Sequence, residues 1–128
     1  MDGVKVIKVT TIDNPEYQEF KSWSTFEKTN QVLHSHNDKP SVIYYFENGK
    51  VGYKYWHLND KRHRTGNKSS IIGYFENGEV GYKAWYLDDE EYTKQDYKQI
   101  LKQIKSMSDT EKLLDSRQWV REMVKWLK

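Results

Sequence analysis

The sequence predicts an α+β fold in which an antiparallel sheet of tandem β-hairpin repeats carries an N-terminal helix and two C-terminal helices. Three observations lead there. Residues 41–60 and 70–89 are two copies of one unit. Each copy holds Asn-Gly between two β-rich runs, and the flanking segments carry helix-start residues at Asn14, Thr93 and Asp109.

The repeat is exact enough to rule out chance. At an offset of 29, Phe46 to Asp60 aligns with Phe75 to Asp89, and 11 of the 15 positions are identical. A period of this length marks a duplicated supersecondary unit. Weaker matches continue upstream, where Val42 and Ile43 face Ile71 and Ile72, Lys39 faces Lys68, and His34 faces His63. They point to a degenerate earlier copy that contributes only its tail.

Asn48-Gly49 and Asn77-Gly78 predict two-residue type I′ turns, in which both central residues take positive φ. That register opposes Glu47 to Lys50, Phe46 to Val51, Tyr45 to Gly52 and Tyr44 to Tyr53. In the second copy it opposes Glu76 to Glu79 and Tyr74 to Gly81, so a tyrosine would cover each strand glycine. Alternation then sorts two faces. Val42, Tyr44, Phe46, Val51, Tyr53 and Tyr55 form the better core candidate. Ile43, Tyr45, Lys54, Trp56 and Leu58, repeated as Ile72, Tyr74, Lys83, Trp85 and Leu87, form the other. Covered by helices, those tryptophans are core; uncovered, they make a stacking surface.

Val4 to Ile12 reads as a strand, and Asn14-Pro15-Glu16 as the start of a helix running to about Lys28 with Tyr17, Phe20 and Trp23 on one side. Thr93 caps a helix through about Ser106. Asp109 caps another to the C-terminus, with Leu113, Trp119, Val120, Met123, Val124, Trp126 and Leu127 on its apolar arc beside a stripe of Arg117, Arg121, Lys125 and Lys128. The chain divides as a single domain, 1–128. Residues 1–40 hold the N-terminal strand and helix, 41–92 the two hairpin repeats and 93–128 the C-terminal helices.

Composition narrows the function. With 128 residues the chain can bury a core, and its aromatic content of 15% supplies the apolar area that a mean hydropathy of −1.02 would otherwise deny it. A net charge of +2, from 21 basic and 19 acidic side chains, is not that of a general nucleic-acid binder, so any basic surface must be local. Without cysteine there is no disulfide, thiolate metal site or cysteine nucleophile. Charges interrupt every apolar pair near the N-terminus, and no run is long enough to span a membrane, which gives the expectation of a cytoplasmic protein without a signal peptide.

Lys61, Arg62, His63 and Arg64 are the densest positive cluster and could clamp a phosphate or an acidic partner. The second copy places Glu90-Glu91-Tyr92-Thr93 there, so stacked repeats would let the two connections neutralise each other, or meet across a symmetric homodimer interface. His34-x-His36 with Asp38 is a weak metal pattern, and His57 is the fourth histidine. The expectation is no metal, no cofactor and no catalytic residue, since no P-loop, dinucleotide fingerprint or hydrolase elbow is present.

Phe46-Glu-Asn-Gly-Lys-Val-Gly-Tyr-Lys-Tyr-Trp-His-Leu-Asn-Asp-Lys-Arg-His-Arg64 resembles the variant MORN-like repeats of bacterial, phage and giant-virus proteins. The pattern falls on Asn48, Gly49, Trp56, Leu58, Asn59, Lys61, His63 and Arg64, and again on Asn77, Gly78, Trp85 and Leu87. Asp60 replaces the usual Gly, and the second copy lacks His-Arg. The resemblance implies an interaction scaffold, a non-enzymatic binding protein of the phage-accessory kind that engages and modulates a host macromolecule, most simply a host protein. Its contacts would come from Tyr45, Trp56, Tyr74 and Trp85 with Lys61 to Arg64. The alternative is a nucleic-acid or nucleotide binder using the same aromatic and basic groups.

Overall fold

In a computed structural model that describes residues 6–105, the N-terminal alternation of β-branched residues and lysine becomes strand β1 (Ile7–Thr11), with Ile7 and Val9 buried. The next segment corrects the sequence reading. Asn14–Phe20 is strand β2, antiparallel to β1, and the N-terminal helix shrinks to α1 (Trp23–Glu27). Asn14 does cap a turn, since its Oδ1 accepts from the Glu16 N–H at 2.9 Å, but Thr11 pairs with Asn14 and the turn belongs to a hairpin. The spacing of Tyr17, Phe20 and Trp23 suits a helix; pairing of Phe20 with Ile7 and donation from the Tyr17 hydroxyl to Pro40 O at 2.7 Å hold the run in the sheet. α1 starts where Ser22 Oγ accepts from the Thr25 N–H, and it sets Phe26 against Ile7, Val9, Leu33 and Val42.

The first copy supplies β3 (Val42–Tyr45) and β4 (Val51–Tyr55), followed by the short pair β5 (His57–Leu58) and β6 (Lys61–Arg62). The second supplies β7 (Ile71–Tyr74), β8 (Val80–Leu87) and β9 (Glu90–Tyr92), after which comes α2 (Lys94–Lys105). Seven strands form one sheet in the order β2-β1-β3-β4-β7-β8-β9, with β5-β6 a separate ribbon. The α+β class with tandem hairpins is therefore what the chain adopts. The helix expected from Asp109 lies outside the described residues.

Both turns differ from the expected type. Gly49 N–H bonds to Phe46 O and Phe46 N–H to Lys50 O, while Gly49 has φ +84° and Asn48 is not in the positive-φ region. The loop is therefore three residues, a type I turn closed by a left-handed glycine, and Asn48 Oδ1 secures it by accepting from the Lys50 N–H at 2.9 Å. Phe75 to Glu79 repeats every one of these features. The longer loop shifts the register, so Tyr45 opposes Val51 and Gly52 is the extra residue of a bulge. Glycine is then covered by a phenylalanine instead of the expected tyrosine, with a Cβ at Gly52 falling 3.0 Å from Phe46 Cε1. Type I′ turns do occur, at Asn59-Asp60 and Asp88-Asp89, where all four residues have positive φ.

Those turns stack the repeats. His63 Nδ1 accepts from the Asp88 N–H at 2.9 Å, and one period earlier His34 Nδ1 accepts from the Asn59 N–H at 3.2 Å. Asp60 Oδ1 accepts from the Leu33 N–H, and Asp89 Oδ1 from the Arg62 N–H, in the same relation. Thus the degenerate copy is structural: its tail, around His34, docks on the first complete copy as that copy docks on the second.

α2 ends the series. Thr93 Oγ1 accepts from the Asp96 N–H at its first turn, and Tyr97 and Ile100 are fully buried against Leu87. The Tyr97 hydroxyl donates to Arg64 O at 2.7 Å and accepts from the Lys68 N–H at 3.3 Å, tying the helix to the first copy's tail. Tyr97→Phe removes both bonds without changing the packing, and a loss of about 1–2 kcal/mol in urea unfolding is expected. A loss below about 0.3 kcal/mol would show that water replaces the hydroxyl at no cost.

Candidate interaction surfaces

Stacking of the copies brings the cations of the Lys61 to Arg64 segment onto carboxylates. Lys61 Nζ lies 3.5 Å from Asp88 Oδ1, and Arg62 Nε donates to Asp89 Oδ1 at 2.6 Å while its guanidinium sits 4.3 Å over the Tyr86 ring. Arg64 donates from Nε and Nη2 to the two oxygens of Asp38, at 3.0 and 3.2 Å, and from Nη1 to Ser69 O. Lys68 Nζ adds a bond of 2.8 Å to the same carboxylate. The bonds from Arg64, then from Lys68, hold the Asp38 carboxyl down at about 2. His63 is buried and engaged as described, so the segment joins repeats.

The aromatic residues singled out from sequence part company. Trp56 is 4% exposed: its indole N–H donates to Asp38 O at 3.0 Å, and the Arg64 guanidinium lies 3.7 Å from its ring centre. Trp85 packs with Leu87, Tyr92, Tyr97 and Ile100 beneath α2. Tyr45 and Tyr74 stay half-exposed, each beside a lysine, with Lys8 Nζ 5.3 Å from the Tyr45 ring centre and Lys54 Nζ 5.6 Å from that of Tyr74. The structure therefore does not assemble Tyr45, Trp56, Tyr74, Trp85 and Lys61 to Arg64 into one patch.

Cross-strand register defines the two faces directly. One row runs Ile7, Tyr44, Tyr53, Gly73, Tyr82 across five strands, and another runs Val9, Val42, Tyr55, Ile71, Ala84. Both project to what we call the front. Between them Lys8, Ile43, Lys54, Ile72 and Lys83 form a row on the back.

α1 covers the front only over β1 and β3. Across β4, β7 and β8 the front is aromatic and open: Tyr53 is 40% exposed and Tyr82 47%, and Phe75 (57%) stands at the tip of the second hairpin, whereas Val80 pairs with Tyr74 on the back. Tyr53 stacks on Tyr55 at 6.1 Å, and Tyr55 on His57 at 6.3 Å. Gly73 is the floor beneath Tyr53, because a Cβ there would lie 2.9 Å from Tyr53 Cε1. Burial raises the hydroxyl pKa of Tyr44, Tyr55 and Tyr86, which keeps them neutral, and Arg62, whose guanidinium lies over the Tyr86 ring, is paired with Asp89. Tyr53, Tyr82 and Phe75 were thus overlooked as contacts by a reading that assigned their face to the core. The signal that could have found them is their recurrence at equal repeat positions, with Gly73 opposite.

His34 and His36 lie with ring centres 5.1 Å apart, yet each is occupied, His34 Nδ1 by the Asn59 N–H and His36 Nε2 by Thr11 O at 2.7 Å. Among the described residues no group of three or more His, Cys, Asp or Glu is placed to hold a metal ion. Nor is any helix among them long and apolar enough to cross a membrane. No protein-family model matches the chain, and no curated protein or solved structure matches it significantly.

Proposed function

We propose that this chain is a non-enzymatic binding protein whose principal contact is with another protein, through the open front of the sheet. The observation that carries the reading is the exposure of Tyr53 and Tyr82, on either side of Gly73, with Phe75 exposed at the tip of the same hairpin. Large apolar side chains left uncovered together mark interaction sites, and tyrosine supplies wide contact area at small entropic cost. The surface is poor in unpaired charge, which suits a neutral apolar partner surface over a phosphate backbone. The narrower role, a phage accessory factor that modulates a host macromolecule, is supported by the repeat resemblance alone.

The test compares the chain with its Phe75→Ser, Tyr82→Ser variant. Both side chains are exposed, so thermal unfolding should shift by no more than a few degrees. A protein retained by immobilised wild-type chain should be lost with the variant, by about tenfold or more in affinity. Retention unaffected by both substitutions contradicts the proposal. So does concentration-dependent dimerisation that the same two changes abolish, because the front would then be meeting a second copy.

A further inference from the structure

The near-neutral total charge requires any basic surface to be local, and Lys61 to Arg64 is not it, because those cations are paired within the fold. The back of the sheet has what that segment lacks. Lys8, Ile43, Lys54, Ile72 and Lys83 follow one another in register across β1, β3, β4, β7 and β8. Strand spacing puts successive lysines about 10 Å apart and spreads the three over roughly 19 Å. Lys54 and Lys83 have no carboxylate within ion-pair distance among the described residues; Lys8 has Glu19 at 3.8 Å, a solvated contact that yields readily to a stronger anion.

Two of these cations sit beside aromatic faces. Lys8 neighbours Tyr45 and Lys54 neighbours Tyr74, and the two pairs lie on β1–β3 and β4–β7, so the same Lys–Tyr unit recurs across the sheet. Both tyrosines are half-exposed, and Ile43 and Ile72 give an apolar floor between the lysines. A row of cations at even spacing fits evenly spaced phosphates, and a ring next to each cation fits a base next to its phosphate. Only unpaired bases can stack on such rings. We infer that the back of the sheet binds single-stranded nucleic acid, with Lys8, Lys54 and Lys83 on phosphates and Tyr45 and Tyr74 under bases. This surface is separate from the front, so the two readings stand or fall independently.

Fluorescence anisotropy of a labelled oligothymidylate of about 20 nucleotides, titrated at several salt concentrations starting near 50 mM, tests the inference. Three phosphate contacts predict that log affinity falls with log salt at a slope of about −2, and that Lys54→Gln with Lys83→Gln removes about two thirds of that slope. Tyr45→Ala and Tyr74→Ala should each weaken binding about tenfold. Tyr53→Ala and Tyr82→Ala, on the opposite face, should leave it unchanged. Absent binding at the lowest salt, a slope indifferent to the two glutamines, or binding confined to anionic lipid vesicles would overturn the proposal.

Discussion

Trp56→Ala is expected to destabilise the fold by about 3–5 kcal/mol, the range for removing a large buried aromatic side chain. The cavity is one part of the loss. Trp56 is 4% exposed, and its ring is the platform on which the Arg64 guanidinium rests while donating to Asp38 and Ser69 O. Without the ring, Arg64 loses the surface that orients it, and Asp38 O loses the indole donor. Trp56→Phe separates the terms, since it keeps an apolar ring under Arg64 and deletes the N–H; it should cost about 1–2 kcal/mol. Trp85→Ala, at the equivalent repeat position but only half-buried, should cost less than Trp56→Ala. Urea unfolding of the three variants checks the order. A loss below about 1 kcal/mol for Trp56→Ala would mean that the Arg64 clamp holds without its platform.

Acid should weaken the protein in two stages, the first set by His57. Burial, beside the Ser41 hydroxyl at 2.6 Å and stacked on Tyr55, pushes the His57 pKa down from 6.5 to about 4, and Asp60 and Asp89 oppose that shift only in part. The folded state thus binds a proton less readily than the unfolded state. Stability from this group is complete above pH 6.5 and is lost as pH falls from there toward 4. Between about pH 7.5 and pH 4.5 the loss should be roughly 2–3 kcal/mol. His34, lowered by burial and by the charge of His36, adds to the same interval, because a proton on its Nδ1 would meet the Asn59 N–H. The second stage belongs to Asp38, whose folded pKa of about 2 lies below the ordinary 3.8, so its stabilisation is present above 3.8 and disappears between 3.8 and 2. His57→Gln should flatten the first stage while leaving the second. Stability that is level between pH 7 and pH 5 would refute the assignment.

Much of the fold was legible because duplication is written in identity. Phe46 to Asp60 and Phe75 to Asp89 had to form the same hairpin, and Thr93 opens α2 where expected. The opposition of Lys61-Arg62 to the acidic end of the second copy was readable as self-neutralisation, although the partners proved to be Asp88 and Asp89 of the turn and not Glu90 and Glu91. Asn-Gly fixed the position of each turn but not its type, because a left-handed glycine serves both the two-residue and the three-residue loop. That one extra residue moved Gly52 into a bulge and placed Phe46 over it. Asn14-Pro15-Glu16 misled for a related reason: an Asn side chain that accepts the N–H two residues on serves a hairpin turn as well as a helix start.

The candidate surfaces were less legible than the fold. Alternation separated the faces along the regular parts of the strands, but the bulge at Gly52 moves Val51 from the expected face to that of Tyr45. Which part of each face a helix covers depends on where short helices end. α1 stops after five residues and leaves Tyr53 and Tyr82 open, while α2 takes the back at Trp85 and leaves the Lys8–Lys54–Lys83 row. The row itself required register across five strands, including pairing between the two copies that no local signal specifies. Trp56 could not be assigned to the interior from sequence, since what covers it is a loop arginine held by Asp38.

Site-directed photo-crosslinking tests the division of labour between the two faces most directly. A benzophenone side chain at position 82, where the native tyrosine is 47% exposed, reports on the front, and one at the half-exposed position 74 reports on the back. In lysate, position 82 should capture a protein that the Phe75→Ser exchange then releases, while position 74 should capture nucleic acid. A silent position 82, or the same protein captured equally from both positions, would contradict the assignment of the aromatic front as the protein-binding surface.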